Sequence, residues 1–175
     1  MEILFKANSF PNTLNTLMGI ESNYLLRIGD ATIPNNQLQV ATSVNNCTSA
    51  DLQLESGKWY HVAVAFNKGN VKVYINGVEK LSGSTGKSSV SLGAKHTNEE
   101  DGSRCFWVGY SYKDDRYFDG VVSEVRIWNR ALTAEEIQAT NHFYTIEPES
   151  EGLIAYWKFC LLYTSDAADD MQCVD

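Results

Sequence analysis

GKWYHVAVAFNKGNVKVYINGVEKL, residues 57–81, is the stretch whose reading decides the fold. From Trp59 to Phe66 the side chains alternate with period two, placing Tyr60, Val62, Val64 and Phe66 on one face and Trp59, His61, Ala63 and Ala65 on the other. Asn67-Lys68-Gly69-Asn70 supplies residue types that tolerate positive φ, and Val71, Val73 and Ile75 then alternate with Lys72 and Tyr74. Asn76-Gly77 is the strongest short signal for a tight hairpin, and Val78 to Leu81 returns as a third strand. The stretch therefore predicts a meander of three antiparallel strands.

The same alternation recurs outward from this centre. NTLMGI (15–20) and NYLLRIG (23–29) read as a hairpin, followed by a turn at TIPNN (32–36) and by QLQVAT, DLQL, CFWVGY, GVVSEVRIW and GLIAYWKF as further strands. In GVVSEVRIW, Glu124 and Arg126 share one side and are expected to face solvent as a charged edge. Residues 81–105 are rich in Gly and Ser and read as a long loop or a pair of short strands. One helix is predicted near 133–142, where Thr133 and Glu136 have capping-box spacing, and it is expected to cap one end of the sandwich. Many short strands with turns between them predict an all-β, antiparallel β-sandwich.

Composition narrows the function. The formal charge is −8, but Asp166, Asp169, Asp170 and Asp175 lie in the last sixteen residues, leaving 18 acidic residues against 14 basic ones in residues 1–159. This mild, interspersed acidity gives no footprint for nucleic acid. No apolar run is long enough to enter and cross a bilayer. EILFKANSF after Met1 lacks the basic start and apolar core of a signal peptide, and reads like an interior strand that has lost what preceded it. Outside residues 160–175 only Cys47 and Cys105 remain, either bridged or as two thiols, without the spacing of a zinc site or a redox pair.

Motifs for chemistry are mostly negative. GSTGKSS has two residues between Gly83 and Gly86 where a phosphate-binding loop needs four before its Gly-Lys pair, so it reads as a turn. Asn46-Cys47-Thr48 matches a glycosylation acceptor that matters only in a glycosylating host. His61, His96 and His142 have no Ser, Cys or Asp companion at triad spacing, and His61 reads as a partly buried strand residue. Glu99-Glu100-Asp101 and Asp114-Asp115 are loop carboxylates, solvated or able to contribute to a calcium site.

Taken together, Trp59, His61 and Asn76-Gly77 in the hairpin, FWVGYS, Phe118-Asp119-Gly120 before EVRIWNRALT, and Tyr156-Trp157 resemble a laminin-G-like domain of the concanavalin A-like lectin and glucanase superfamily, in the form found in secreted and surface proteins of gut Bacteroidetes. The resemblance spans residues 3–159 and implies a jelly roll of two antiparallel sheets that binds glycans or proteins outside the cell or at its surface. The Glu-x-Asp-x-x-Glu strand of glycoside hydrolases on this scaffold has no match, which implies a module that is not an enzyme. By similarity to pentraxins, the segment after Val108-Gly109-Tyr110 implies calcium at Asp114 and Asp115. Tyr110, Tyr112, Asp114, Asp115, Arg116 and Tyr117 combine aromatic faces, a cation and carboxylates suited to sugar rings and hydroxyls. The expected function is a non-catalytic carbohydrate-binding module, with a polysaccharide or glycan as partner; the alternative is a structural or protein-adhesion domain of a larger surface protein.

CLLYTSDAAD, which begins at residue 160, resembles the translation of a transposon adapter used in preparing DNA libraries. Residues 1–159 are accordingly expected to be one sandwich truncated at both ends, and residues 160–175 a non-native tail.

Overall fold

The structure, a computed structural model, describes residues 1–43, 46–92, 105–111, 114–139, 142 and 146–159, without the side chains of residues 43, 46–48, 51 and 114. His96, Glu99 to Asp101, Tyr112, the side chains of Asn46, Cys47 and Thr48, and the tail 160–175 thus lie outside the described residues.

Eleven strands are described: β1 (Glu2–Ala7), β2 (Asn15–Ile20), β3 (Tyr24–Asp30), β4 (Ile33–Ser43), β5 (Asn46–Gln53), β6 (Trp59–Asn67), β7 (Asn70–Ile75), β8 (Val78–Ser84), β9 (Trp107–Val108), β10 (Gly120–Trp128) and β11 (Leu153–Lys158). They form a six-stranded sheet, β11-β10-β1-β6-β7-β8, and a five-stranded sheet, β5-β4-β3-β2-β9, with antiparallel pairing throughout. This is the jelly-roll sandwich expected from the sequence.

The central meander forms as read. Asn67 pairs with Asn70 and Ile75 with Val78, so both connections are two-residue turns. Their central residues all have positive φ, 48° and 92° at Lys68 and Gly69, 49° and 77° at Asn76 and Gly77, the type I′ geometry that matches the twist of the flanking strands. The apolar face of β6 and β7 meets Leu26, Ile28, Leu38 and Val40 from the facing sheet. At the middle of this core Phe5 is fully buried, its ring 6.0 Å from Tyr60 and edge-on to Phe118 at 5.5 Å.

Other elements depart from expectation. Pro34, Asn35 and Asn36 lie within β4; the turn is one step earlier, Asp30 pairing with Ile33, and the pairing resumes at Ile28 and Leu38 across an irregular stretch. The Asn35 and Asn36 side-chain amides tie this stretch to its neighbours by donating to the carbonyls of Phe10 (2.9 Å) and Leu54 (3.1 Å). The segment after Leu81 continues β8 to Ser84, and Val90 and Leu92 pack against the core. Cys105 is a free thiol, and the expected alternative of a bridge to Cys47 involves a side chain outside the described residues.

The helix, α1 (Ala134–Gln138), is shorter than predicted, because Ala139 leaves the helical region at ψ 131°. Its capping box is present: Glu136 donates its backbone N–H to Thr133 Oγ1 at 3.2 Å, and Thr133 donates its own to Glu136 Oε2 at 2.7 Å. Arg130 grips the same carboxylate with two bonds of 2.9 and 2.7 Å, holding it down at about 2. Ile137 and Leu132 pack on Ala63 and Tyr74, so α1 lies on the outer face of the six-stranded sheet and does not cap an end of the sandwich. Among the described residues no helix is long and apolar enough to cross a membrane.

The reading of Glu124 and Arg126 as a solvated edge is overturned. β10 lies between β1 and β11, and the Arg126 side chain is 2% exposed. Arg126 pairs with Glu124, donates to the His142 carbonyl at 2.7 Å and lies 3.8 Å from Glu2 Oε2. Tyr156 donates its hydroxyl to Glu124 at 3.0 Å, and its ring lies under the guanidinium at 5.3 Å. A buried pair breaks at high cost when one partner is removed, because the other charge is left unpaired. Arg126→Met should therefore lose about 3–5 kcal/mol in urea unfolding, and Glu124→Met added to it should recover part of the loss in a double-mutant cycle. Phe5→Ala should cost about 3–5 kcal/mol by the same measurement.

Candidate functional site

The residues expected to touch a ligand flank the edge of the five-stranded sheet. β9 pairs Trp107 with Gly19, and the chain then passes through a single 3-10 turn, Asp114–Arg116, before entering β10. Tyr110 sets its ring edge-on to Trp107 at 5.4 Å. Arg116 donates to Glu21 Oε1 at 2.6 Å, and the buried Ser111 hydroxyl donates to the same oxygen at 3.4 Å. Arg116 Nε is also 3.9 Å from Asp115 Oδ1. The guanidinium therefore ties the loop to the β2–β3 turn. Asp115, with 82% of its side chain exposed, and Tyr117, 42% exposed, are the open members of the group. Asn12 fixes the backbone at Tyr117 by donating to its carbonyl at 2.9 Å. Tyr112 and the Asp114 side chain lie outside the described residues.

A second feature was not read from the sequence. Between the sheets, at the end where β6 finishes and β11 begins, a cleft of about 920 Å³ is lined by Tyr24, Phe66, Phe106 and Trp157 among others, with Asn129 and Arg130 contributing polar atoms. Phe106 and Trp157 stack at 6.3 Å with 21° between their planes, and Trp157 is 44% exposed. The Tyr24 hydroxyl is buried without a hydrogen-bond partner among the described residues, and burial pushes its pKa up. These rings come from four separate parts of the chain, so no local motif announces the cleft.

The third feature lies on the face of the six-stranded sheet that carries α1. Glu2 on β1, His61 on β6 and His142 bring one ligand atom each to within 4.8 Å of the others, and all three residues are buried. Among the described residues this is the one cluster of three metal-ligating groups, and none forms around Asp115. His142 Nε2 is 2.5 Å and His61 Nε2 3.4 Å from Glu2 Oε1, while Trp128 donates its indole N–H to Oε2 at 2.9 Å. Burial would raise the Glu2 carboxyl; hydrogen bonds from His142 and His61, and their charge, more than reverse this and hold it well below the ordinary carboxylate range. The available signal was that Ala63 and Ala65 share a face with His61, since small apolar residues there mark a covered surface.

Comparison with known proteins agrees with the architecture. A crystallised Bacteroides ovatus protein, provisionally described as carbohydrate-binding, is 29% identical and superposes with a TM-score of 0.74 over 90% of this chain and 44% of its own. Domain 4 of AbnA, a GH43 extracellular arabinanase from Geobacillus stearothermophilus in complex with arabinotriose, is 25% identical with a TM-score of 0.58, over 78% of this chain and 63% of its own. Human adhesion G-protein coupled receptor D1 is 30% identical over 119 residues, 65% of this chain, and the match spans 12% of the receptor. The Laminin_G_3 family model, described as Concanavalin A-like lectin/glucanases superfamily, matches residues 2–138, and the chain belongs to that family.

Proposed function

We propose that this domain is a non-catalytic carbohydrate-binding module acting outside the cell or at a bacterial surface. The observation that carries the reading is the exposed Trp157 ring, stacked on Phe106 at the aromatic cleft, with Arg130 and Asn129 among the lining residues. An apolar ring beside a few polar groups is what a pyranose or furanose needs, because sugars pair a C–H face with a rim of hydroxyls. Similarity to the Bacteroides protein and to the arabinanase domain holding arabinotriose supports this ligand class. The loop of Tyr110, Tyr112, Asp114, Asp115, Arg116 and Tyr117 is proposed as a second contact surface apart from the cleft, offering the exposed Tyr117 and Asp115, with Arg116 positioning the loop through Glu21. Calcium at Asp114 and Asp115 belongs to the same proposal, and Arg116 so close to Asp115 would weaken the hold on a cation there. The non-catalytic reading is supported by Glu2, the most deeply buried carboxylate among the described residues, being engaged by two histidines and an indole.

A second reading, a protein-adhesion domain, is favoured by the similarity to part of an adhesion receptor. Glycan arrays followed by calorimetry, with arabinotriose as one probe and with or without calcium, separate the two. Trp157→Ala should weaken glycan binding about tenfold or more, roughly 1.4 kcal/mol, and Tyr117→Ala should weaken it less. Failure of all glycans to bind in both calcium conditions removes the carbohydrate reading and leaves the adhesion one.

A further inference from the structure

We propose that Glu2, His61 and His142 form a buried binding site for a divalent transition metal of the zinc class, on the sheet face opposite the sandwich core. Charge is the first reason. Glu2 and Glu124 are two carboxylates sharing one buried guanidinium, Arg126, so the second carboxylate is balanced at the imidazoles, by a proton or by a metal ion. A buried negative charge is costly unless a cation joins it.

Donor geometry is the second reason, and it separates a metal from a proton. A proton needs one imidazole, whereas both rings here turn Nε2 toward the same oxygen, Glu2 Oε1. Zinc takes imidazole nitrogen and carboxylate oxygen at about 2.0–2.2 Å in a tetrahedron, which places neighbouring donors about 3.3–3.5 Å apart. The Glu2–His61 separation, 3.4 Å, already fits. The Glu2–His142 separation is 2.5 Å and opens by about 0.8 Å when an ion replaces the hydrogen bond.

The supporting groups suit this role. Trp128 holds the other carboxylate oxygen, fixing which one faces the rings. Arg126 approaches Oε2, not Oε1, and holds the His142 backbone through its carbonyl. The His61 backbone N–H is fixed by Asn76 Oδ1 at 2.9 Å. Three donors leave the fourth position of the tetrahedron to a water.

The test uses the full chain, stripped by chelator and titrated with cobalt(II). Visible d–d bands of tetrahedral cobalt should grow to one equivalent and vanish on adding zinc. His142→Ala should abolish them, and Asp115→Asn, on the loop proposed for calcium, should leave them intact. Zinc should raise the Tm of the wild type by roughly 5 °C at a hundredfold excess over its Kd, and should not raise that of His142→Ala. Absent bands together with an unmoved Tm would mean that the cluster holds only a proton, and the proposal falls. It falls equally if His142→Ala keeps the bands. Should that variant not fold, X-ray absorption of the zinc-loaded wild type decides: two imidazoles around the metal support the site, and none overturns it.

Discussion

Strand β1 buries side chains on both faces, and it does so by opposite means. Ile3 and Phe5 point into the apolar core, while Glu2 points the other way, into ion pairs and hydrogen bonds under α1 and His142. A strand with β6 on one side and β10 on the other is fixed in register by its backbone ladder, but the ladder alone tolerates a shift by two residues. Glu2 removes that tolerance. Only the observed pairing, Glu2 opposite Arg126 on one side and Ala63 on the other, brings the carboxylate to its guanidinium and its imidazoles. The polar cluster thus sets the alignment of the three central strands, and the core supplies most of the free energy that holds them.

Local signals in the sequence were accurate wherever a feature depends on a few neighbouring residues. Alternation from Trp59 to Ile75, the two-residue turns and the Thr133–Glu136 capping box all recur in the structure, because strand faces, positive φ and helix caps are decided within a few positions. What a strand face meets is decided elsewhere. Arg126 alternates as a solvent-facing residue should, yet His142, later in the chain, comes back to accept from it and the side chain is buried. Pro34 is a related case: TIPNN was read as a turn, but the turn falls one step earlier and Pro34, Asn35 and Asn36 lie in an irregular stretch of β4.

The same distinction governs the candidate sites. Asp115 and Tyr117 were legible as open surface because a short polar loop beside a strand has little else to do. Arg116 was legible as a cation but not as an anchor, since Glu21 lies ninety-five positions earlier. The cleft could not be seen at all, as Tyr24, Phe66, Phe106 and Trp157 meet only once the sheets have packed.

Residue 2 and residue 126 face each other across one ladder, which has a consequence for the order in which the chain is made. As the ribosome releases the chain, the meander from Trp59 to Ser84 is complete within twenty-six residues and needs nothing downstream for its own ladders. Glu2 by then has β6 beside it but no guanidinium, and none can arrive until more than forty further residues have emerged. Distant closures are the slow part of folding. The nascent sheet therefore carries an acid on what will be its covered face throughout the interval, and that acid keeps water there until Arg126 and His142 replace it.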